Sequence, residues 1–235
     1  MQQKIQVLKE GQEGYGILVE SDSGYIDMGY SKNAAILKEA MENPAKFLEN
    51  PVVYCVLQRY DAPNKNRRIY PKSRLMKAVE EYSPSIKDRA AIGEVDHADT
   101  TNVSLNNVGL VLIDTYWEGT ALMGVVYLPI TRGFKEMGIC SNSADTVANL
   151  LMHKVRVGIS SRSIGSVKKA SQYDEVQDDL QILCWDFVSV PSTHLAYLCA
   201  TPEEATSLAP YMAPEVAPPK SSPKINPKLA KFMGF

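Results

Sequence analysis

Between residues 50 and 200 the apolar positions fall into strand-length runs. PVVYCVLQRY (51–60), VGLVLIDTYW (108–117), ALMGVVYLPI (121–130), VRVGISSRSIGSV (155–167) and LQILCWDFVSVP (180–191) are rich in Val, Ile, Leu and aromatic residues and read as strands. EGT separates the second from the third, which is a hairpin signal. KIQVL and YGILVE are shorter strand-like pieces near the N-terminus. Helical spacing occurs in three places. In SKNAAILKEAMENPAKFLEN, Ser31 is the expected N-cap, Ile36, Leu37, Ala40 and Met41 share a face, and Pro44 breaks or kinks the helix. YPKSRLMKAVEEYSP places Pro71 in a first turn and Leu75, Met76 and Val79 on one side. SADTVANLLMHK starts at Ser143 or Asp145 and buries Val147, Leu150 and Leu151. KKASQYDEVQDD reads as a polar connection.

No fixed repeat is present. Some six strands with few Gly-rich strand-to-helix turns favour an α+β fold. The expected core is a β-barrel or strongly curved, mostly antiparallel sheet with peripheral helices, rather than a doubly wound sheet. Six prolines crowd the stretch from Pro210 to Pro227, where Lys220, Lys224, Lys228 and Lys231 face one acid, Glu215. Such a segment buries little and continues neither a helix nor a central strand. The expected division is an N-terminal extension with a helix (1–50), one principal domain (51–205) and a Pro-rich tail (206–235).

Composition narrows the function classes. Twenty-five Lys and Arg against 27 Asp and Glu give a formal net charge of -2, which argues against a general nucleic-acid coat. No apolar run approaches the ~18 residues of a membrane span, and MQQKIQVLKEGQEG lacks the apolar core of a signal peptide. A cytoplasmic protein is expected. Cys55, Cys140, Cys184 and Cys199 have no CxxC spacing and sit in or beside apolar residues, so reduced, mostly buried thiols are expected rather than a zinc site.

Candidate chemistry is sparse. His153, near the end of a helix, suits the macrodipole there. His194 follows VPST in a loop or strand end. His97 lies in AIGEVDHADTTNVSL, crowded by Gly93, Glu94, Asp96 and Asp99, an odd setting for a core histidine. It reads as a general base, or with Asp96 and Asp99 as a metal site, though carboxylate–imidazole spacing of this kind is common by chance. VRVGISSRSIGSV sets Ser160 and Ser161 in a strand, where only one of the two can point into a site. Arg162 could position a water or an oxyanion beside it. Serine needs an adjacent base, and His97 is the best available. Asp186, between Trp185 and Phe187, either faces solvent on an edge strand or is buried and paired with an imidazole. KNRRIYPKSR, with Tyr60 and Tyr70 nearby, reads as a solvated basic loop, at most a local patch for a phosphate backbone.

Three of these segments, in order, resemble the prohead (procapsid maturation) serine proteases of tailed bacteriophages, of the myovirus core-protease type, related in fold to herpesvirus assemblin. NKNRRIYPKSRLMKAVEEY is similar to the family's Asn/Arg-rich turn, Tyr-Pro and helix. AIGEVDHADTTNVSLNNVGLVLIDTYWEGTALMGVVYL resembles its Gly-Glu-Leu-(Asp/Asn)-His-Pro motif and the strand pair that follows. VRVGISSRSIGSV is similar to the strand that carries the nucleophile. LQILCWDFVSVPST is a weaker fourth match. The likeness spans roughly residues 55–200.

The resemblance implies an assemblin-like fold and a serine endopeptidase without cofactor or metal. Its substrates would be scaffold or core proteins and the major capsid protein inside the immature head, in the host cytoplasm, and self-cleavage is implied too. It makes His97 the base and Ser160 or Ser161 the nucleophile, with a slight lean to Ser160. Asp186 is the third member and His194 the fallback. Backbone amides around Arg162 and Ser163 would form the oxyanion hole. Ala98 stands where the family has proline, and Ser163 where it has glycine, with Gly165 nearby to restore freedom. Relatives that cut after glutamate suggest Glu204–Ala205 and Glu215–Val216 as self-cleavage sites. A homo-oligomer is compatible with this reading; a membrane or a specific nucleic acid is not an expected partner. The competing reading is a non-catalytic head scaffold or capsid-interacting protein that keeps the protease fold.

Overall fold

The computed structural model describes residues 5–9, 11–20, 44–170 and 172–210. Two sheets form the centre. The first contains β1 (Gly14–Val19), β3 (Arg68–Ile69), β7 (Gly158–Lys169), β8 (Asp174–Val176) and β9 (Gln181–Val188). The second runs β2 (Val52–Arg59), β6 (Ala121–Tyr127), β5 (Val108–Glu118), β4 (Ile92–Glu94). All pairings are antiparallel except the short β3–β8 contact. Around the sheets lie α1 (Pro44–Glu49), α2 (Lys72–Lys87), α3 (Arg132–Met137), α4 (Ser143–Met152) and α5 (Pro202–Leu208).

β7 organises the first sheet. Ile164 is paired with Ile17 of β1 and with Gln181 of β9, so those two strands flank β7 on opposite edges. Single bridges link the two sheets. Val95, just after β4, bridges Phe187 of β9, and residues 197–199 bridge both Gly158 and Tyr54. The sheets therefore wrap toward each other. The fold is α+β with curved antiparallel sheets, but the expected barrel is not closed by continuous ladders among the described residues.

One face of β7–β9 belongs to the core. Ile159, Trp185 and Phe187 are buried there with Leu18, Leu110 and Leu112, and Tyr82 of α2 meets Trp185 edge-on with centroids 5.2 Å apart. Burying a side chain such as Phe187 stabilises by roughly 1.5–3 kcal/mol.

Most expected elements are present: the β5–β6 hairpin turns at Gly119, and the runs read as strands at 51–60, 155–167 and 180–191 are β2, β7 and β9. Differences have local causes. α2 continues through Pro84 to Lys87, and Met76 is exposed while Leu75 and Val79 are buried. Asn142, not Ser143 or Asp145, caps α4, accepting from the Asp145 N–H at 2.8 Å. The polar connection contains β8, a three-residue strand too short to show a period. Ser31 and its face lie outside the described residues; α1 begins at Pro44, which suits a first turn.

The boundaries expected at 50 and 205 both pass through packed structure. β1 is an integral strand, with Ile17 and Leu18 buried. α5 closes with a capping box at Thr201 and buries Ala205 and Leu208, while Arg59 grips the carbonyls of Leu208 (2.7 Å) and Ala209 (2.5 Å). The Pro-rich segment from 211 lies outside the described residues.

Candidate active site

The site begins with a close approach. β4 passes β9 so tightly that a Cβ on Gly93 would lie 1.7 Å from the Trp185 carbonyl oxygen. Asp96 N–H then donates to Phe187 O at 2.8 Å, and Asp96 takes φ 64°, a left-handed conformation that aspartate tolerates better than most residues. That turn carries His97 over β9, where its Nδ1 lies 2.7 Å from Asp186 Oδ2. The His97 side chain is only 5% exposed and Asp186 is fully buried. A carboxylate at Nδ1 favours the tautomer with its proton there and leaves the Nε2 lone pair free. Nε2 is buried and has no hydrogen-bond partner.

An isolated buried carboxylate is costly, so Asp186 needs further partners. Arg162 Nε is 3.1 Å from Asp186 Oδ2, and the Glu94 N–H donates to Oδ1 at 2.8 Å. Arg162 also pairs with Glu94 Oε2 at 2.9 Å and contacts Cys184 Sγ at 3.2 Å. Its Nη1 reaches the carbonyls of Thr100 (3.0 Å) and Ala98 (3.3 Å), which follow His97 in the chain. Burial alone would depress the guanidinium's pKa; Cys184, Asp186 and Glu94 hold it above its ordinary value. Burial beside Asp186 pushes the Cys184 thiol well up, so it remains a neutral thiol. Arg162 thus brackets the carboxylate and ties down the His97 loop. Its side chain is fully buried among these partners.

Register divides the serines. Ser160 lies opposite Asp186 and Arg162 opposite Cys184, so these four share the face that the His97 loop covers. Ser161 lies opposite Trp185 and, with Ser163, belongs to the core face. Ser160 Oγ donates to the Glu20 carbonyl, and neither serine hydroxyl is bonded to His97. Arg162 and Ser163 are paired with β1, and on the β9 edge the register shifts between them, a bulge that interrupts the ladder there. The Ser163 hydroxyl is buried without a partner.

The remaining candidates stand apart. His153 caps α4, its Nδ1 2.9 Å from Asn149 O. His194 lines a cleft with Gln58, Arg59, Asn64 and Tyr70, while Asp186 takes the position beside His97 for which His194 was the fallback. Among the described residues, no three His, Cys, Asp or Glu side chains converge where they could hold a metal; Asp96 and Asp99 stand exposed beside His97.

A second buried polar cluster escaped the sequence reading. Glu20, 1% exposed, accepts from Asn64 Nδ2 (2.6 Å), Asn66 Nδ2 (2.9 Å), Arg68 Nη1 (2.8 Å), Tyr70 Oη (2.5 Å) and Ser192 Oγ (2.9 Å). The stretch read as a solvated basic loop is therefore the donor wall of a buried carboxylate site, with Arg68 itself 1% exposed. The available signal was an acid ending the apolar run YGILV, a lone charge in need of a cation. Glu94 was visible beside His97, but its pairing with Arg162 was not.

What such an arrangement can do chemically is acyl transfer: an imidazole steered by a carboxylate, over the face of a strand that presents a serine. The chain belongs to the family of prohead core protein serine proteases, which matches residues 12–208. It is 27% identical over 154 residues to the prohead core protein protease of Enterobacteria phage T4, covering 64% of this chain and 68% of that one. The solved structure of the bacteriophage T4 capsid assembly protease shares the fold, with a TM-score of 0.52 at 22% identity, covering 58% of this chain and 80% of the other. Family membership makes this a peptidase of phage capsid maturation. No helix among the described residues is long and apolar enough to cross a membrane.

Proposed function

We propose that this chain is a serine endopeptidase that acts inside the immature phage head on scaffold or core proteins and on the major capsid protein. The observation that carries the reading is His97, held by Asp186 at 2.7 Å with Nε2 buried and unpartnered, over the face of β7 that bears Ser160. Ser160 is the nucleophile in this reading, because Ser161 is turned to the core. His97 takes the serine proton as Oγ attacks the scissile carbonyl, then returns it to the leaving amine. Water hydrolyses the acyl-enzyme with the same base. Asp186 fixes the ring and stabilises the imidazolium.

Self-cleavage between Glu204 and Ala205 is not part of this proposal. That bond lies inside α5, Ala205 is fully buried, and Glu204 closes the capping box. Proteolysis needs an extended, accessible strand. Glu215–Val216 lies outside the described residues.

The test is labelling by a serine-directed phosphonate together with cleavage of a co-expressed scaffold protein. The expected result is one adduct on Ser160, absent from Ser160→Ala and His97→Ala and retained in Ser161→Ala. An unlabelled wild type that leaves the scaffold intact supports the non-catalytic scaffold reading instead.

A further inference from the structure

Glu94 stands three residues before His97, and the contacts that fix the imidazole lead back to it. Its N–H holds Asp186 Oδ1 at 2.8 Å, and its Oε2 holds Arg162 Nη2 at 2.9 Å. Arg162 Nε in turn lies 3.1 Å from Asp186 Oδ2, the oxygen that meets His97 Nδ1. Both oxygens of the steering carboxylate are therefore set by Glu94, one directly and one at a single remove. The other Glu94 oxygen, Oε1, accepts the Ser104 N–H at 2.5 Å and closes the loop that carries His97. The β4–β5 register slips between Gly93 and Glu94, and a bulge of this kind re-aims a side chain. Glu94 is 1% exposed, enclosed together with the guanidinium.

Charge separates this residue from an ordinary counter-ion. Arg162 and Asp186 alone would neutralise each other. Glu94 adds a second carboxylate, so two negative groups face one positive group while His97 is neutral. Cys184, also in contact with Arg162, is a neutral thiol, and Asp96 and Asp99 on the His97 loop are exposed, where solvent screens them. The sum over Glu94, Arg162, Asp186 and His97 reaches zero only when His97 carries a proton. A buried surplus charge costs stability at rest, and this one is cancelled at the step in which the imidazole becomes imidazolium. An interaction that strengthens in the transition state raises kcat rather than tightening substrate binding.

The geometry points to Glu94 as a positioning residue for the proton transfer. Through Arg162 it orients Asp186, and its charge balances the imidazolium that forms on His97. This inference rests on the reading of His97 as the base. Without the Glu94 charge the guanidinium leans on Asp186 alone and draws that carboxylate away from Nδ1. The imidazolium is then an uncompensated positive charge.

Glu94→Gln is the direct variant, but an amide has one oxygen for two donors, so its NH2 must face either Arg162 or the Ser104 N–H. Ser104→Pro removes that conflict: Ser104 has φ -81°, close to the proline value, and proline has no N–H. The double variant Glu94→Gln/Ser104→Pro keeps an acceptor for Arg162 and lacks only the charge. Measured against Ser104→Pro alone on a capsid-protein peptide, it is expected to lose ~10^2-fold in kcat with KM unchanged. The low-field proton resonance of His97 Nδ1–H is expected to move to higher field in the same protein. A merely structural counter-ion would change melting and leave both readings alone. A folded double variant with the kcat and the resonance of Ser104→Pro overturns the inference, and labelling of wild type on Ser160 then leaves the proposed function standing. Wild type with neither labelling nor cleavage overturns both.

Discussion

Two buried carboxylates, Glu20 and Asp186, lie on either side of Ser160, and the bases they hold differ. Around Glu20 the carboxylate has five donors. Around Asp186 the carboxylate is equally well held, by His97, Arg162 and the Glu94 amide, yet the imidazole it steers keeps Nε2 buried without a partner. Beside Glu20 the unpartnered nitrogen is Arg68 Nε, a permanently protonated donor that can take up no proton. An unsatisfied basic nitrogen inside a protein is a standing cost of about 1–3 kcal/mol, retained where a proton must arrive during work. The contrast sets structural holding on the Glu20 side and, in the proposed function, proton transfer on the His97 side.

The sharpest way to break this contrast is to remove the proton path. Ser160→Ala and His97→Ala are each expected to lower kcat on a capsid-protein peptide by ~10^6-fold. Ser160→Ala should melt within a few degrees of wild type, and His97→Ala should stay folded because Asp186 keeps Arg162 and the Glu94 amide. If Ser161→Ala loses as much activity as Ser160→Ala while folding normally, the division of the two faces of β7 is wrong. Asp186→Asn comes next, at ~10^4-fold in kcat, because an amide favours the wrong imidazole tautomer. A loss below about tenfold would mean that Asp186 only fills space.

Below these come the two arginines, which test holding rather than chemistry. Arg68→Met strands Glu20, and Arg162→Met strands Glu94 and Asp186; each is expected to cost about 3–5 kcal/mol of stability. At about 2–4 °C per kcal/mol for a chain of this size, thermal melting resolves it. Only Arg162→Met should also speed hydrogen exchange across residues 98–102, whose carbonyls Arg162 holds. Equal exchange in both variants would remove the distinction between the clusters.

How much of this was legible in the sequence follows from the range of each interaction. β2, β5, β6, β7 and β9 declare themselves because their apolar runs match the period of a strand. His97, Ser160 and Asp186 could be nominated because the family's motifs are local stretches of chain. The choice between Ser160 and Ser161 could not be made, since it depends on which face of β7 meets Trp185, a register fact between residues far apart. The partners of Arg162 were hidden for the same reason: Glu94, Asp186 and Cys184 come around it only in the fold. Glu20 is the extreme case. Its partners lie 44 to 172 positions away, so the lone acid ending YGILVE signals a need for a cation without saying which.

The smallest expected effect concerns pH and returns to Glu20. Burial raises its pKa, but Arg68 and the hydrogen bonds from Tyr70, Arg68 and Asn66 outweigh burial and hold it below the ordinary 4.5. A group whose pKa is lowered on folding binds its proton more readily when unfolded. Its contribution is therefore fully present above about pH 4.5 and is lost as pH falls through the lower, folded value. Melting temperature should fall with acidity below pH 4.5, and Glu20→Gln, less stable at neutral pH, should show a shallower fall over the same range. Parallel acid limbs in the two proteins would mean that the Glu20 site is no tighter for the carboxylate than water is. In that case the Glu20 site would be only a packing feature, and the contrast with the proton-transfer side would lose its first half.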